Sequence, residues 1–88
     1  MTTVLSEAEV GTLRPASVAD ARGTACPGPL LEAKKAISGV PVGEVLEVWS
    51  SDPNTKKDVA AWSTKVGHEF LGFLPAAGYD RIFIRRSK

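Results

Sequence analysis

A single cysteine is the residue in this chain whose type and position could do covalent chemistry. Cys26 lies in Cys26-Pro27-Gly28-Pro29, directly before a run of residues that predicts a helix. Proline is well suited to the first turn of a helix, so Pro27 and Pro29 favour a helix that begins at this point. The N–H groups and the macrodipole at a helix N-terminus favour an anion and help a thiol to ionise. The sequence therefore predicts a reactive thiolate at a helix entrance.

The opposing interpretation is that Cys26 is inert, because free cysteines are often buried and behave as small apolar residues. The loop chemistry of Arg22 to Ala25 before it and the two prolines after it favour an accessible sulfur. The sequence holds one cysteine, so it offers no internal disulfide, no Cys-x-x-Cys pair and no multi-cysteine zinc site. Any transfer chemistry would therefore involve a second molecule, and we expect neither a metal ion nor a cofactor.

The composition predicts one small domain. Of its 88 residues, we expect 1 to 15 to form a loosely packed extension and 16 to 88 the folded unit. Eleven Lys and Arg against ten Asp and Glu leave a net charge of +1, which gives no argument for binding nucleic acid or a membrane surface. The N-terminal segment lacks the basic start and apolar run of a secretory signal, and no later run could span a bilayer. We therefore expect a cytoplasmic protein whose partners are proteins or small molecules.

Hydrophobic periodicity predicts six elements in the order β-α-β-α-β-β. Strands are predicted over residues 16 to 21, 43 to 50, 68 to 74 and 80 to 86, with a loop from Pro75 to Gly78. One helix is predicted after Cys26, and a second starts at Asp52-Pro53-Asn54-Thr55 and ends at Gly67. Right-handed crossovers would place both helices on one face of a sheet and both helix N-termini at the same edge. The spacing of apolar residues predicts a common core of Leu30, Ala33, Ile37, Val59, Trp62, Val66, Ile82 and Ile84.

Three basic residues are candidates for supporting a thiolate at this edge. The connection before the second helix would lie beside the cysteine loop, and Lys56 and Lys57 fall in the first turn of that helix, against the usual macrodipole preference. They could serve the thiolate or a docking partner, and the alternative is an ordinary solvated face. Arg22, four residues before the sulfur, is a further candidate for anion support.

The run from Asp20 to Pro29, followed by an amphipathic helix, resembles the TusA/SirA family of small sulfur-carrier proteins, whose signature is Cys-Pro-x-Pro at the first helix. Further matches are Ser51-Asp52-Pro53, Trp62, Gly67-His68 and the closing strand Arg81 to Arg85. The resemblance covers about residues 16 to 88 and implies an α/β two-layer sandwich with two helices on one face of a four-stranded mixed sheet. It also implies that Cys26 accepts sulfane sulfur as a persulfide from a donor protein, of cysteine desulfurase or rhodanese type, and passes it to an acceptor protein.

The chemistry that this resemblance implies requires a thiolate and an accessible face, and it requires no general base. His68, the only histidine, is therefore interpreted as structural. The residues expected to support Cys26 are Arg22, Gly23, Pro27, Gly28, Pro29, Asp52, Lys56 and Lys57. The pathway stays open between sulfur oxidation, tRNA thiolation and molybdenum-cofactor synthesis.

Two other functions stay open. In a non-catalytic protein-interaction module the prolines would only cap the helix, and Cys26 would be inert. An RNA-binding domain would use basic and aromatic residues together: Arg81, Arg85, Arg86 and Lys88 with Trp49, Phe73, Tyr79 and Phe83. The balanced overall charge argues against RNA binding.

Overall fold

Four strands and two helices make up the part of the chain that the structure describes. The computed structural model describes residues 14–23 and 28–88. The strands are β1 (Ser17–Asp20), β2 (Val45–Ser50), β3 (Glu69–Ala76) and β4 (Tyr79–Arg85), and the helices are α1 (Gly28–Ile37) and α2 (Thr55–Val66). This is the predicted order, and the four strands form one mixed sheet under two helices. The predicted two-layer α/β sandwich is therefore confirmed. The expected extension, residues 1 to 15, falls almost entirely outside the described residues.

The sheet order β1-β2-β4-β3 determines where the helices begin. β1 is parallel to β2, and β4 is antiparallel to both of its neighbours, so β3 runs in the same direction as β1 and β2. α1 follows β1 and α2 follows β2, and both helices pack against the same face of the sheet. The two helix entrances therefore lie at the same edge of the sheet, as predicted.

The main core lies between this face and the helices. Alternate residues of the two central strands point toward the helices and are buried together with residues of α1 and α2: Leu46, Val48, Ile82, Ile84, Ala33, Ile37 and Val59. Leu30 and Trp62 pack against this core while partly exposed. The prediction for Val66 is wrong, because 37% of this residue is exposed. It is the last residue of α2, where the chain leaves the helix through Gly67 in the left-handed conformation.

The other face of the sheet carries a second, smaller apolar cluster. Val45, Leu71 and Phe83 form it, with Leu74 packed against them. Strand side chains alternate between the two faces, so Phe83 lies opposite its neighbours Ile82 and Ile84. The predicted loop from Pro75 to Gly78 is shorter than expected, because β3 continues to Ala76 and pairs with Tyr79.

His68 has a structural place just before β3. Its Nδ1 accepts a hydrogen bond from the backbone N–H of Ser87 at 3.1 Å. Its ring packs edge-on against Trp62, with 5.7 Å between the ring centres. Burial lowers the pKa of His68, and the charges of Arg86 and Lys88 lower it further. The fold therefore favours the neutral imidazole.

We expect the free energy of unfolding to decrease as the pH falls below about 6.5, the ordinary pKa of histidine. The pKa of His68 is lower in the folded protein, so the unfolded chain binds more protons in this range, and stability is lost until the folded pKa is reached. Urea unfolding between pH 7.5 and 5 should show this in a Cys26→Ser chain, which has no thiol to titrate. His68→Asn, whose amide oxygen can still accept the Ser87 N–H, should flatten the profile. An equally steep profile would contradict the assignment.

Candidate functional site

The cysteine loop joins the end of β1 to the beginning of α1. Its residues 24–27, among them Cys26 and Pro27, lie outside the described residues. Arg22 and Gly23 lead into the loop, and α1 begins at Gly28 and buries Pro29 completely. Both ends of the loop thus lie at the edge of the sheet where the two helices start. The predictions for Cys26 and Pro27 stay predictions.

One hydrogen bond connects the beginning of this loop to the entrance of α2. The backbone N–H of Gly23 donates to the hydroxyl oxygen of Ser51 at 2.8 Å. Gly23 has φ +80°, a conformation that glycine adopts more readily than other residues. Ser51 directly follows β2, so the predicted proximity of the two connections is confirmed at this point.

Arg22 is held by a carboxylate and two aromatic rings. Its Nε and Nη2 each donate to the carboxylate of Asp20 at 2.8 Å, and its backbone N–H donates to the same group at 3.1 Å. The guanidinium carbon lies 4.8 Å from the centre of the Trp49 ring and 4.9 Å from that of Tyr79. The side-chain hydrogen bonds lower the pKa of Asp20 and raise that of Arg22. We call Asp20, Arg22, Trp49 and Tyr79 the Arg22 clamp.

The clamp bears on the predicted role of Arg22 in supporting an anion. Trp49 alternates with Val48, which faces the helices, so the clamp lies on the opposite side of the sheet from α1. The positive charge of Arg22 is also compensated by Asp20. The structure therefore ties Arg22 to the sheet face that carries Trp49, and its side chain fixes the backbone just before the loop.

The buried carboxylate of Glu47 binds Trp49, one of the clamp residues. The side chain of Glu47 is only 3% exposed. It accepts a hydrogen bond from the indole N–H of Trp49, and bonds from Nε and Nη2 of Arg81 at 2.8 and 3.3 Å. The bond to Glu47 raises the pKa of Arg81. Sequence reasoning missed Glu47 and its contacts with Trp49 and Arg81. Glu47 and Trp49 alternate with the apolar residues of β2, and this alternation is the signal that could have shown their shared face.

Asp52 shapes the entrance of α2. Its Oδ1 accepts the backbone N–H of Asn54 at 2.9 Å, and its carbonyl oxygen accepts that of Thr55 at 3.2 Å. Beneath this turn, the hydroxyl oxygens of Ser50 and Thr55 form a buried hydrogen bond of 2.7 Å. These contacts fix the direction in which the chain leaves β2 and enters the helix.

The two predicted lysines occupy different environments. Nζ of Lys56 donates to Asp80 at 3.1 Å and to the carbonyl oxygen of Pro53 at 2.8 Å, and it lies over the ring of Phe73. The charge of Lys56 is thus paired with β4. Lys57 is exposed to solvent. Of the two, Lys57 is the more exposed and Lys56 the one engaged within the fold.

Three of the four basic residues considered for RNA binding are engaged within the fold. Arg81 pairs with Glu47, and Arg85 pairs with Glu69 at 3.5 Å. Arg86 donates to backbone carbonyl oxygens of Ser38, Val40 and Lys88. Among the aromatic candidates, Phe83 is fully buried, and Trp49 and Tyr79 pack against Arg22. Most of the side chains that stacking on RNA would use thus have partners within the fold.

Two further observations concern residues 14–23 and 28–88. No group of three or more His, Cys, Asp or Glu residues in these ranges is arranged to hold a metal ion. Neither α1 nor α2 is long and apolar enough to cross a bilayer.

Comparison with known proteins gives a family, relatives and a fold neighbour. The family model described as sulfurtransferase TusA matches residues 18–86. A candidate sulfur carrier protein of Archaeoglobus fulgidus is 46% identical over 71 residues, covering 81% of this chain and 97% of that protein. The sulfur carrier protein TusA of Allochromatium vinosum is 35% identical over 68 residues, covering 77% and 90%. The crystal structure of a SirA-like protein from Desulfitobacterium hafniense shares the fold, with a TM-score of 0.70 at 22% identity and coverage of 82% and 99%.

Proposed function

Because this chain belongs to the TusA sulfurtransferase family, we propose that it carries sulfane sulfur as a persulfide on Cys26 and relays it between proteins. The place of Cys26 in the sequence, between two described segments that end at one edge of the sheet, is the observation that supports this proposal. Cys26 comes two residues before α1 begins at Gly28, and the loop that holds it starts beside Ser51 at the entrance of α2. Two helix N-termini at one edge of a sheet favour negative charge in this region, and a persulfide carrier works as the anion.

The transfer requires only thiol exchange. The Cys26 thiolate attacks the terminal sulfur of a donor persulfide and forms a new S–S bond with it. The donor S–S bond breaks, and the inner sulfur stays on the donor cysteine and leaves as a thiolate. The new S–S bond on Cys26 carries the transferred sulfur, and no external oxidant or reductant is consumed. An acceptor thiolate then attacks that sulfur and releases Cys26 as a thiolate. Neither step requires a general base when the surroundings already favour the anion.

The donor and acceptor are proposed to dock at the edge of the sheet that carries the cysteine loop. A cysteine desulfurase or a rhodanese has a persulfide of the required chemistry and is our proposed donor. Lys57 supplies an exposed positive charge in the first turn of α2, which would steer an acidic partner surface toward the loop. Pro27 is proposed to favour the beginning of the helix, and Gly28, which has no side chain, to let a partner sulfur approach closely. The pathway stays open between sulfur oxidation, tRNA thiolation and molybdenum-cofactor synthesis, and the proposed compartment is the cytoplasm.

Intact-protein mass spectrometry tests the proposal. The unchanged protein, incubated with a cysteine desulfurase and cysteine, should gain the mass of one or more whole sulfur atoms, and a thiol reductant should remove them. Protein that has first been alkylated at its single cysteine should gain none. A chain that keeps a free thiol and gains no sulfur from desulfurase, rhodanese or polysulfide would contradict the proposal. The non-catalytic interaction module, with an inert Cys26, would then be the better account.

A further inference from the structure

The Arg22 clamp is more elaborate than a surface arginine requires. An exposed arginine paired with an exposed aspartate gains little stability, because solvent screens the pair and both side chains lose conformational freedom. Here the guanidinium also lies within 5 Å of the centres of two rings, and those rings pack on each other with 5.5 Å between their centres. The rings add attraction to a planar cation and hold it in one orientation.

The clamp is anchored in the buried part of the sheet. Trp49 donates its indole N–H to the buried carboxylate of Glu47, which is itself held by Arg81 from β4. Tyr79 is the first residue of β4. Arg22 is therefore fixed by two different strands in addition to the strand that it follows.

The clamp holds the chain where it leaves β1. Arg22 contributes its backbone N–H to Asp20, and the next residue, Gly23, contributes its backbone N–H to Ser51. Two consecutive residues are thus fixed immediately before residues 24–27. At the other end of the loop, the buried Pro29 fixes the beginning of α1.

We propose that Asp20, Trp49 and Tyr79 hold Arg22 as a positioning residue for Cys26, by fixing the direction in which the chain leaves β1 toward the cysteine loop. This inference rests on the function proposed for Cys26. It assigns to Arg22 a role through geometry, whereas direct support of an anion would use its charge. The two roles predict different effects of a lysine at position 22. Lysine keeps the charge but lacks the planar fork that binds Asp20 at two points and stacks on both rings.

The test measures the rate of alkylation of Cys26 by iodoacetamide as a function of pH. Arg22→Lys and Tyr79→Leu should each raise the apparent pKa of the reaction by about half a unit, the scale expected when a thiolate loses a helix N-terminus. Tyr79→Phe, which keeps the ring, should show a profile close to that of the unchanged protein. Arg85→Lys is the matched control, because Arg85 pairs with Glu69 on β3 and β4, away from the clamp.

Each outcome decides between the two roles. An Arg22→Lys profile that coincides with that of the unchanged protein would overturn positioning. A shifted Arg22→Gln profile beside it would then assign the effect to simple charge. Shifts of equal size in Arg85→Lys would also overturn it, since they would reflect a general loss of structure. Circular dichroism identifies any variant that fails to fold, and Arg22→Lys and Tyr79→Phe are conservative enough to remain informative. Sulfur loading of the unchanged protein is measured separately, so failure of the carrier function is distinguished from failure of the clamp.

Discussion

A chain carrying Cys26→Ser is expected to take up no sulfane sulfur and to relay none to an acceptor. The hydroxyl is similar in size to the thiol, but oxygen cannot hold a transferable sulfur, and serine does not ionise at neutral pH. Labelled sulfur supplied through a donor should appear on the unchanged protein and then on the acceptor. With the Cys26→Ser chain, transfer to the acceptor should fall to the level seen with donor and acceptor alone. Because no other residue in the chain is a thiol, no second site can replace the loss.

The substitution should leave the folded structure intact, which separates lost chemistry from lost structure. Thermal unfolding should give a melting temperature close to that of the unchanged protein. If the Cys26→Ser chain still relays label above the background, the carrier mechanism is wrong. If label is lost and the chain has also unfolded, Cys26→Ala provides a second comparison without a hydroxyl in the loop.

The largest expected effect on stability comes from Leu46→Ala. Leu46 lies on the central strand β2, is fully buried and faces both helices. Removing its buried methyl groups leaves a cavity, and such changes cost about 2 to 5 kcal/mol. A domain of this size has a total stability of only about 5 to 15 kcal/mol. Thermal unfolding should therefore show a decrease of roughly 10 °C or more in the melting temperature.

Leu31→Ala is the matched control for this substitution. It removes the same atoms from α1, but Leu31 is 56% exposed and is absent from the core cluster. Its melting temperature should stay within a few degrees of that of the unchanged protein, as is usual for surface changes of about 0.5 kcal/mol or less. Equal losses in the two variants would mean that α1 does not pack on the sheet as described.

Much of this fold follows from local patterns. The alternation in β2 and β4 and the helical spacing in α1 and α2 predicted the order of the elements, and the crossover rule placed both helices on one face. Val66 shows the limit of periodicity. The pattern identifies the apolar face of a helix, but it does not tell at which residue that face stops packing on the sheet. The β3–β4 turn shows a similar limit, since Pro75 and Ala76 gain strand structure only by pairing with β4.

The clamp could not be derived from the sequence, because it depends on register across the sheet. Asp20 pairs with Trp49 in β1 and β2, and Trp49 pairs with Arg81 in β2 and β4. A shift of one residue in either pairing would separate these side chains onto opposite faces. Arg22 was recognised as a basic residue near the thiol, but its partners come from strands that lie 27 and 57 positions further along the chain. The sequence therefore indicates a charge, and the sheet determines what that charge contacts.

The two outer strands of the sheet, β1 and β3, limit the way in which partners can bind. β1 is an edge strand of only four residues, and β3, the other edge, carries Pro75, which has no N–H to donate, and a bulge between Phe70 and Gly72. Short strands, proline and bulges all hinder the addition of a further strand. A partner protein is therefore not expected to extend the sheet with its own backbone. It would instead recognise side chains and the loops between strands and helices, a mode of contact that is easily broken when one partner must be exchanged for the next.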